Sequence, residues 1–379
     1  YKLAIISIDT LKSDQYVNHL RQQRWDAVVI DESHNVTNSG TLNHRLASLL
    51  ARSTESLILA SATPHNGTKE SFAELIRMLE PSAVSATGEV DEELVSRLVV
   101  RRHRNSPEVA RAVGQEWAQR LEPDNREVEA SPEENAVAQE LQDVWLWPED
   151  GQSPSTHSLF PWTLAKAFLS SSQALAETIE NRQKALEGAD PTSGTKREQA
   201  ALERLADLNQ ACIEGRSAKY DALVARLKEI GVGRRSKERS VIFSERVATL
   251  KDLQQRLRKD LGLSKAAVAV LHGGLSDVEQ QEIVESFKLE SSPIRVLVTG
   301  DIASEGVNLH TQCHNLIHYD IPWSLIRIEQ RNGRIDRYGQ TKRPQITTLL
   351  LRPEAEKFSG DFRVLTRLIE REQEAHRAL

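Results

Sequence analysis

Two adjacent carboxylates, Asp31 and Glu32, directly follow an apolar run at residues 27–30. Ligand sites in open α/β sheets lie at the carboxyl ends of the strands, so this pair stands where chemistry is expected. Asp31 could hold Mg²⁺ through its water shell, while Glu32 could orient or deprotonate an attacking water, as in a nucleotide hydrolase. An acidic turn that caps a helix is the alternative, and the dipeptide alone leaves both interpretations open.

Two further loops follow apolar runs and could contact an anion or cap a helix. The first spans residues 61–65, in which Thr63 could cap a helix that has Pro64 at its first position. The second spans residues 299–309 and contains many small residues, so its backbone N–H groups could contact phosphate. A purely structural role is the alternative for each loop.

A cluster of arginines is the fourth and most informative feature. Residues 330–340 read QRNGRIDRYGQ. If this segment is helical, positions within about 80° of one another share a face. These positions hold Arg327, Gln330, Arg334 and Arg337. Three guanidiniums without an acid among them repel one another unless they meet an anion, so phosphate recognition is one interpretation and a solvated charged face is the other.

Apolar runs separated by helical patterns predict the elements that must position these residues. Strands without polar alternation are typical of a parallel sheet that is covered by helices on both faces. The predicted strands of a first lobe, residues 1–102, are 3–8, 27–30 and 57–60. Those of a second lobe, residues 216–352, are 241–243, 267–271, 294–298, 315–318 and 345–351.

The residues between the two lobes have a different composition. Residues 103–215 are rich in Ala, Glu, Gln and Leu, which predicts a mostly helical insert or linker. Residues 353–379 form a C-terminal segment whose charged end is predicted to be helical. The predicted fold class is therefore α/β, with two parallel-sheet lobes and a mostly helical insert between them.

Composition excludes several classes of protein. The 379 residues carry a formal net charge of −6, which excludes a strongly basic protein that coats nucleic acid but not a local basic groove. The sequence contains no run of about 18 apolar residues, so no membrane span is predicted. Cys212 and Cys313 are too few for a disulfide framework and lack a nearby partner for zinc, which favours a reducing, cytoplasmic location.

Taken in order, the four features resemble motifs II, III, V and VI of the superfamily two helicases. The resemblance is greatest to the Swi/Snf-type DNA translocases, in particular the bacterial RapA-like and defence-associated branch. Further segments fit the same family, namely residues 5–11 (motif Ib), 100–102, 170–172, 241–244 (motif IV), 271–274 and 319–323. The sequence departs from the family pattern at Ser33, where Ala is commoner, and at Ser324 and Leu325, where Asn-Pro is usual.

This resemblance implies two RecA-like lobes with ATP and Mg²⁺ in the cleft between them. It implies that the catalytic residues are Asp31, Glu32, Arg334 and Arg337, with Asp31 also holding Mg²⁺ through water. The residues implied to bind the nucleotide are Asp31, His34, Gly306 and Gln330. The residues implied to contact nucleic acid, which the family resemblance makes double-stranded DNA, are Ser7, Thr10, Ser244, Gly273, Thr299 and Asn308.

The sequence lacks a G-x-x-x-x-G-K-[S/T] loop, which would hold the phosphates of ATP. The resemblance leads us to expect this loop before Tyr1, so residues 1–379 alone should bind and hydrolyse ATP poorly. A catalytically incomplete, helicase-like scaffold that binds DNA or a protein is the alternative function. The bacterial branch further implies partner proteins of a transcription complex or of an anti-phage system such as DISARM or Zorya.

Overall fold

The computed structural model describes residues 3–61, 69–100, 102, 106–114, 116–155, 157–188, 192–301, 307–358, 360, 364 and 368. The chain divides into two compact units between Arg111 and Ala112. In these described ranges, no helix has both the length and the apolar character needed to cross a membrane. The helix predicted at residues 361–379 falls almost entirely outside them.

The first unit contains a parallel strand pair, β1 (Trp25–Ile30) and β2 (Thr54–Leu59). Its helices are α1 (Ile8–Leu11), α2 (Asp14–Leu20), α3 (Leu42–Arg52), α4 (Lys69–Leu79) and α5 (Glu92–Leu98). The chain passes from β1 to β2 through α3, because parallel neighbours need a crossover connection. The apolar pattern predicted both strands, and it also predicted helices at residues 42–50 and 71–79. The structure confirms the helices as α3 and α4.

The strand predicted at residues 3–8 is not found. Residues 3–7 have no regular structure, and α1 begins at Ile8. The side chains of Leu3 and Ile5 are 82% and 95% exposed, so these apolar residues pack against no sheet in the described residues. The continuous apolar run predicted a strand, but a strand also needs a neighbour for its backbone hydrogen bonds. Ser7 favours the helix instead, because its side chain accepts the Asp9 N–H at 3.2 Å.

The second unit is built on a six-stranded sheet in which every neighbouring pair is parallel. The spatial order is β3-β8-β7-β4-β6-β5. The strands are β3 (Asp124–Glu129), β4 (Ser240–Phe243), β5 (Val268–Leu271), β6 (Val296–Thr299), β7 (Asn315–His318) and β8 (Gln345–Arg352). This sheet confirms the predicted α/β class and all five strands expected after residue 216.

Helices cover both faces of this sheet, among them α11 (Ala218–Ile230), α12 (Val247–Asp260) and α13 (Asp277–Lys288). The remaining helices after residue 106 are α6 (Pro107–Val113), α7 (Pro132–Glu140), α8 (Phe160–Ser170), α9 (Ser172–Glu187), α10 (Ser193–Glu214) and α14 (Leu325–Asn332). Successive residues of β4 pack into different cores, Ile242 with α11 and α12 but Val241 and Phe243 with α13. Burial on both faces explains why these strands read as continuous apolar runs.

The predicted helical insert is mostly helical, as expected, but it also supplies an edge strand. Residues 124–129 form β3, which pairs in register with β8 from Asp124↔Thr347 to Glu129↔Arg352. The sequence DNREVE gave no apolar signal, because an edge strand with alternating exposure is held mainly by its backbone ladder. The compact unit that starts at Ala112 includes this segment, and the predicted divisions at 102/103 and 215/216 stay predictions.

Both cysteine thiols lie inside the second unit. Cys212 packs in the core of the helical segment and Cys313 packs beneath β4. Burial raises the pKa of each thiol to about 12. The reactive thiolate is therefore a minor species at neutral pH.

We expect neither thiol to react with a thiol-specific reagent at pH 8 while the protein is folded. With a pKa near 12, the thiolate fraction at that pH is about 10⁻⁴. Absorbance of the released chromophore should show no modified cysteine in the native protein and two in denaturant. One rapidly modified cysteine in the native state would contradict the burial described for that thiol.

Candidate functional site

The end of β1 places the two adjacent carboxylates in a strained turn. Asp31 is exposed, and its Oδ1 accepts the backbone N–H of Glu32 at 2.9 Å. Glu32 has φ 49° and ψ 47°, and among the described residues it alone is a non-glycine residue with positive φ. This left-handed conformation costs on the order of 1 kcal/mol or more for an L-residue and tends to occur at functional sites. The backbone therefore leaves the extended conformation of β1 at Glu32.

His34 joins the ends of the two strands of the first unit. Its Nδ1 lies 3.2 Å from the Oγ of Ser61, just after β2, and 3.2 Å from Oε2 of Glu32. The backbone N–H of Ser33 donates to the carbonyl of Ala60 at 2.9 Å. The structure thus brings the predicted motif II together with the first residue of the predicted motif III. The remaining residues of that motif, 62–65, lie outside the described residues.

The two predicted DNA-contacting residues of the first unit lie on α1. Ser7 is its N-cap and Thr10 lies within it, and both side chains are exposed. The carbonyl of Thr10 accepts a hydrogen bond from the Ser13 hydroxyl at 3.2 Å. Both side chains are therefore accessible to a ligand, and their assignment to DNA stays a prediction.

In the second unit, the predicted motifs converge at one edge of the sheet. β4, β6 and β7 are parallel neighbours in the order β7-β4-β6. Their carboxyl ends lead into Ser244, Thr299 and Tyr319, and α14 follows β7. Segments that are far apart in the sequence are adjacent here because all the strands run in the same direction.

A fully buried arginine, Arg331, ties these loops together. Its Nε and Nη2 donate to Oδ1 of Asp301 at 2.8 and 2.5 Å, and its Nη1 donates to the carbonyl of Asp320 at 3.2 Å. The guanidinium also stacks 5.2 Å from the centroid of the Phe243 ring. A charge at 0% exposure is tolerated only when it is paired and hydrogen-bonded, and this one is.

The carboxylate of Asp320 is the second centre of the network. Its Oδ2 accepts hydrogen bonds from the hydroxyls of Ser244 at 2.6 Å and Ser170 at 2.7 Å, and its Oδ1 accepts the Glu245 N–H at 3.1 Å. Ser170 is the last residue of α8 and also lies 2.8 Å from the hydroxyl of Thr249 on α12. The helical segment is therefore hydrogen-bonded directly to the edge that carries the motifs.

Nearer the surface, an ion-pair chain runs parallel to this network. The Nζ of Lys166 lies 2.6 Å from Glu245, and Arg327 lies 3.4 Å from Glu245 and 2.9 Å from Asp301. Burial, and then the nearby charge of Asp320, raise the pKa of Glu245. This series of ion pairs links α8 to α14 through alternating charges.

These contacts correct the expectation of a shared arginine face. α14 ends at Asn332 with Gly333 at its C-cap, so only Arg327 and Gln330 are on the helix. Arg334 and Arg337 lie in the turns that follow. No acid stands among these four positions, as the sequence showed, but Arg327 pairs with two carboxylates from other loops. Gly333 was the sequence signal for the end of this helix, because glycine is common just after the last helical residue. The argument from helical periodicity did not use it.

A different geometry brings the predicted residues together. Nε of Arg334 donates to the carbonyl of Gln330 at 3.0 Å, and its Nη1 donates to the carbonyl of Val307 at 3.0 Å. Arg337 is exposed and donates to Oδ1 of Asn308. The structure thus groups four of the predicted residues on adjacent turns, while Gly306 lies outside the described residues.

The other predicted DNA-contacting residues of the second unit differ in accessibility. Ser244 and Thr299 are both 0% exposed, and the Thr299 hydroxyl donates to the carbonyl of Leu271 at 3.1 Å. Their hydroxyls therefore serve the fold in this arrangement, whereas Gly273 is exposed. Contact of these segments with DNA stays a prediction.

Sequence reasoning missed Asp301, Asp320 and Arg331. It selected Arg327, Arg334 and Arg337 as one helix face and assigned no role to Arg331. The available signal was an arginine within a helix that also has to cover a sheet, preceded by two aspartates that each follow an apolar strand. A buried cation needs such partners.

Comparison with known proteins agrees with this geometry. Residues 218–339 match the family described as helicase conserved C-terminal domain. The chain is 25% identical over 356 residues to the uncharacterized ATP-dependent helicase YqhH of Bacillus subtilis, covering 90% of this chain and 58% of YqhH. It is 26% identical over 361 residues to the RNA polymerase-associated protein RapA of Photobacterium profundum, covering 89% of this chain and 36% of RapA.

A solved structure shows the same fold. The helicase domain of Pyrococcus furiosus Hef superposes with a TM-score of 0.52 at 18% identity, covering 95% of this chain and 77% of that one. The second unit thus resembles a helicase C-terminal domain in sequence, and the fold is that of a helicase domain with RecA-like lobes. The chain spans 58% of YqhH and 36% of RapA.

Removal of the buried arginine should destabilise the second unit strongly. Arg331→Met removes the buried cation that binds the Asp301 carboxylate and the Asp320 carbonyl, which should lower the free energy of unfolding by about 3–5 kcal/mol. Arg327→Met is the matched control, because its side chain is 53% exposed, and it should cost at most about 1 kcal/mol. Urea unfolding followed by tryptophan fluorescence measures both, and equal losses would contradict the proposed difference.

Proposed function

We propose that this chain forms the two-lobed core of an ATP-dependent motor that moves along double-stranded DNA. The observation that carries the proposal is the grouping of Asn308, Gln330, Arg334 and Arg337 at the carboxyl edge of the second sheet. This edge is where open α/β sheets bind nucleotides. The match of residues 218–339 to the helicase C-terminal domain supports the same conclusion.

The first unit has groups that suit Mg²⁺ and an attacking water. Mg²⁺ keeps several waters and uses one or two carboxylates besides the phosphates, so the single exposed carboxylate of Asp31 fits it. Glu32 lies beside it with its carboxylate against His34 and would accept the proton of the water. Mg·ATP, when bound, supplies the phosphoanhydride that is hydrolysed.

The second unit has groups that suit a phosphoryl anion. Backbone carbonyls fix the guanidinium of Arg334, whereas that of Arg337 is exposed and donates to Asn308. Both would stabilise the negative charge of the transferring γ-phosphoryl group. The ion pair of buried Arg331 with Asp301 fixes the end of α14 and thus the turns that carry both arginines.

Several finer roles rest on similarity. RapA is named for its association with RNA polymerase, and we propose by analogy that this protein works within a complex of transcription or anti-phage defence. Translocation without strand separation is proposed from the Swi/Snf-like resemblance. The chain spans 58% of YqhH and 36% of RapA, so the activity is proposed for the full-length protein. A scaffold without ATPase activity is the outcome that would replace this proposal.

Replacement of the proposed general base should abolish turnover without abolishing binding. In the full-length protein, Glu32→Gln removes the group that accepts the water's proton and should lower kcat by about 10²-fold or more. Affinity for Mg·ATP should be retained, since Asp31 is unchanged. Glu55→Gln, an exposed carboxamide substitution on β2, is the control. DNA-stimulated phosphate release within a factor of about two of wild type would remove Glu32 from this role.

Replacement of the exposed arginine should affect kcat more than KM. Arg337→Ala removes a cation that acts mainly on the charge of the transition state, so kcat should fall by about 10²-fold or more. Arg337→Lys should restore only part of it, because an ammonium lacks the planar fork. Arg352→Ala, at an exposed arginine paired with Glu127, is the control. An unchanged kcat with a raised KM would assign Arg337 to ground-state phosphate binding.

A further inference from the structure

The second sheet has an amino edge opposite to its motifs, and this edge is unusually basic. Three neighbouring strands, β8, β7 and β4, begin there. The segments that lead into them are residues 341–344, 310–314 and 231–239. Because all strands are parallel, these segments lie a full strand length away from Ser244, Thr299 and Asp320. The basic residues before β4 and β8 were assigned neither to the proposed nucleotide site nor to the proposed DNA contacts, although the segment 310–314 adjoins Asn308 in the sequence.

Cationic side chains occupy the two outer segments. The segment before β4 carries Arg234, Arg235 and Lys237, and the segment before β8 carries Lys342 and Arg343. All five residues are exposed, with 85% of the Lys237 side chain and 63% of the Lys342 side chain accessible. The chain has a net charge of −6, so this concentration of positive charge runs against its overall balance.

The edge is concave rather than flat. A cavity of about 540 Å³ is lined by Arg226, His314, Asn315, Lys342, Arg343 and Gln345 among others. A second cavity of about 300 Å³ shares His314 and Lys342 with it and extends to Lys237 and Arg295. The cationic lining residues are joined by neutral donors and acceptors at the starts of β7 and β8 and by the carboxylate of Glu238, which lines both cavities.

The acids at this edge leave the cations available. Glu238 is the carboxylate between the two basic segments, and it lies 3.7 Å from His314 and 3.8 Å from Lys342. These distances exceed those of hydrogen bonds, so Lys342 keeps its donors for another acceptor. Lys237 pairs with Glu290 at 3.1 Å, but both side chains are more than 70% exposed and such pairs contribute little.

The basic segments are held in place before any ligand binds. Nε of Arg295 donates to the carbonyl of Ser236 at 2.6 Å, which fixes the segment before β4. Nε of Arg343 donates to the carbonyl of Gln119, and the Lys342 N–H donates to Oε1 of Gln340 at 3.0 Å. Such fixed segments lose little conformational entropy on binding.

The geometry points to a second nucleic-acid site, in which this amino-edge cleft binds the phosphates of a single strand. The segments before β8 and β4 are two strand spacings apart, about 10 Å, so cations on the two segments can reach different phosphates of one strand. A concave edge admits a single strand, whereas a duplex would touch only its rim. Contacts with phosphate and not with bases imply binding of any sequence.

Two independent charge reversals test this site in the full chain. The variants are Lys342→Glu/Arg343→Glu on one segment and Arg234→Glu/Arg235→Glu on the other. The control is Lys184→Glu/Lys196→Glu, which makes the same change in net charge at exposed lysines on α9 and α10, outside the cleft. Fluorescence anisotropy of a labelled, mixed-sequence single strand, without ATP, measures the affinity. Each test variant should weaken binding about tenfold, and the control should not.

Salt dependence and the position of the strand complete the test. About three phosphate contacts predict a slope near −2 for log K against log salt, and each test variant should reduce it towards about −1. Bound strand should protect the amides of residues 233–239 and 310–314 from hydrogen exchange. Unchanged affinity in both test variants, or protection only at residues 319–337, would overturn the site.

Competing ligands identify the source of the phosphate. A duplex of the same sequence should compete weakly at this cleft. Full displacement of the strand by equimolar pyrophosphate would assign the cleft to a small polyphosphate and overturn the assignment to a strand. The site does not depend on the motor activity, because Glu32→Gln could abolish turnover while single-strand binding at the cleft persists, and the reverse result is equally distinguishable.

Discussion

The second unit depends on one buried charge, the guanidinium of Arg331. It holds Asp301 after β6 and the backbone of Asp320 after β7, so three segments from distant parts of the sequence meet at one group. The carboxylate of Asp320 in turn accepts hydrogen bonds from the hydroxyls of Ser244, just after β4, and Ser170, at the end of α8. A charge at this depth is tolerated only if every partner is in place, so the network favours one arrangement of the motif edge.

The sequence allowed the sheet to be predicted well because its strands are buried on both faces and read as apolar runs. Residues 124–129 could not be found in this way, because a polar edge strand is defined by its neighbour rather than by its own side chains. At residues 3–8 the prediction failed in the opposite way. The apolar run predicted a strand, but no strand in the described residues pairs with it. Strand formation depends on pairing, which local sequence does not record.

The candidate site shows a similar division. Spacing and residue type located Asp31, Glu32 and His34 correctly at strand ends, because strand ends are visible as the limits of apolar runs. They did not locate the end of α14 at Asn332, and they could not show which carboxylates reach the arginines. Ion pairs between Arg327, Arg331 and Asp301 join residues about thirty positions apart and depend on the order of the strands.

The pairing of β3 with β8 has a mechanical consequence for the second unit. Before β3 begins, the N–H of Gly339 already donates to the carbonyl of Glu116, that of Ala118 donates to the carbonyl of Gln340, and that of Leu121 donates to the carbonyl of Pro344. The segment before β3 is therefore fastened to the segment before β8 at several successive points. A tension applied through residues 116–121 would load a ladder of hydrogen bonds instead of a single contact, so several bonds would have to break together before β3 could leave the sheet.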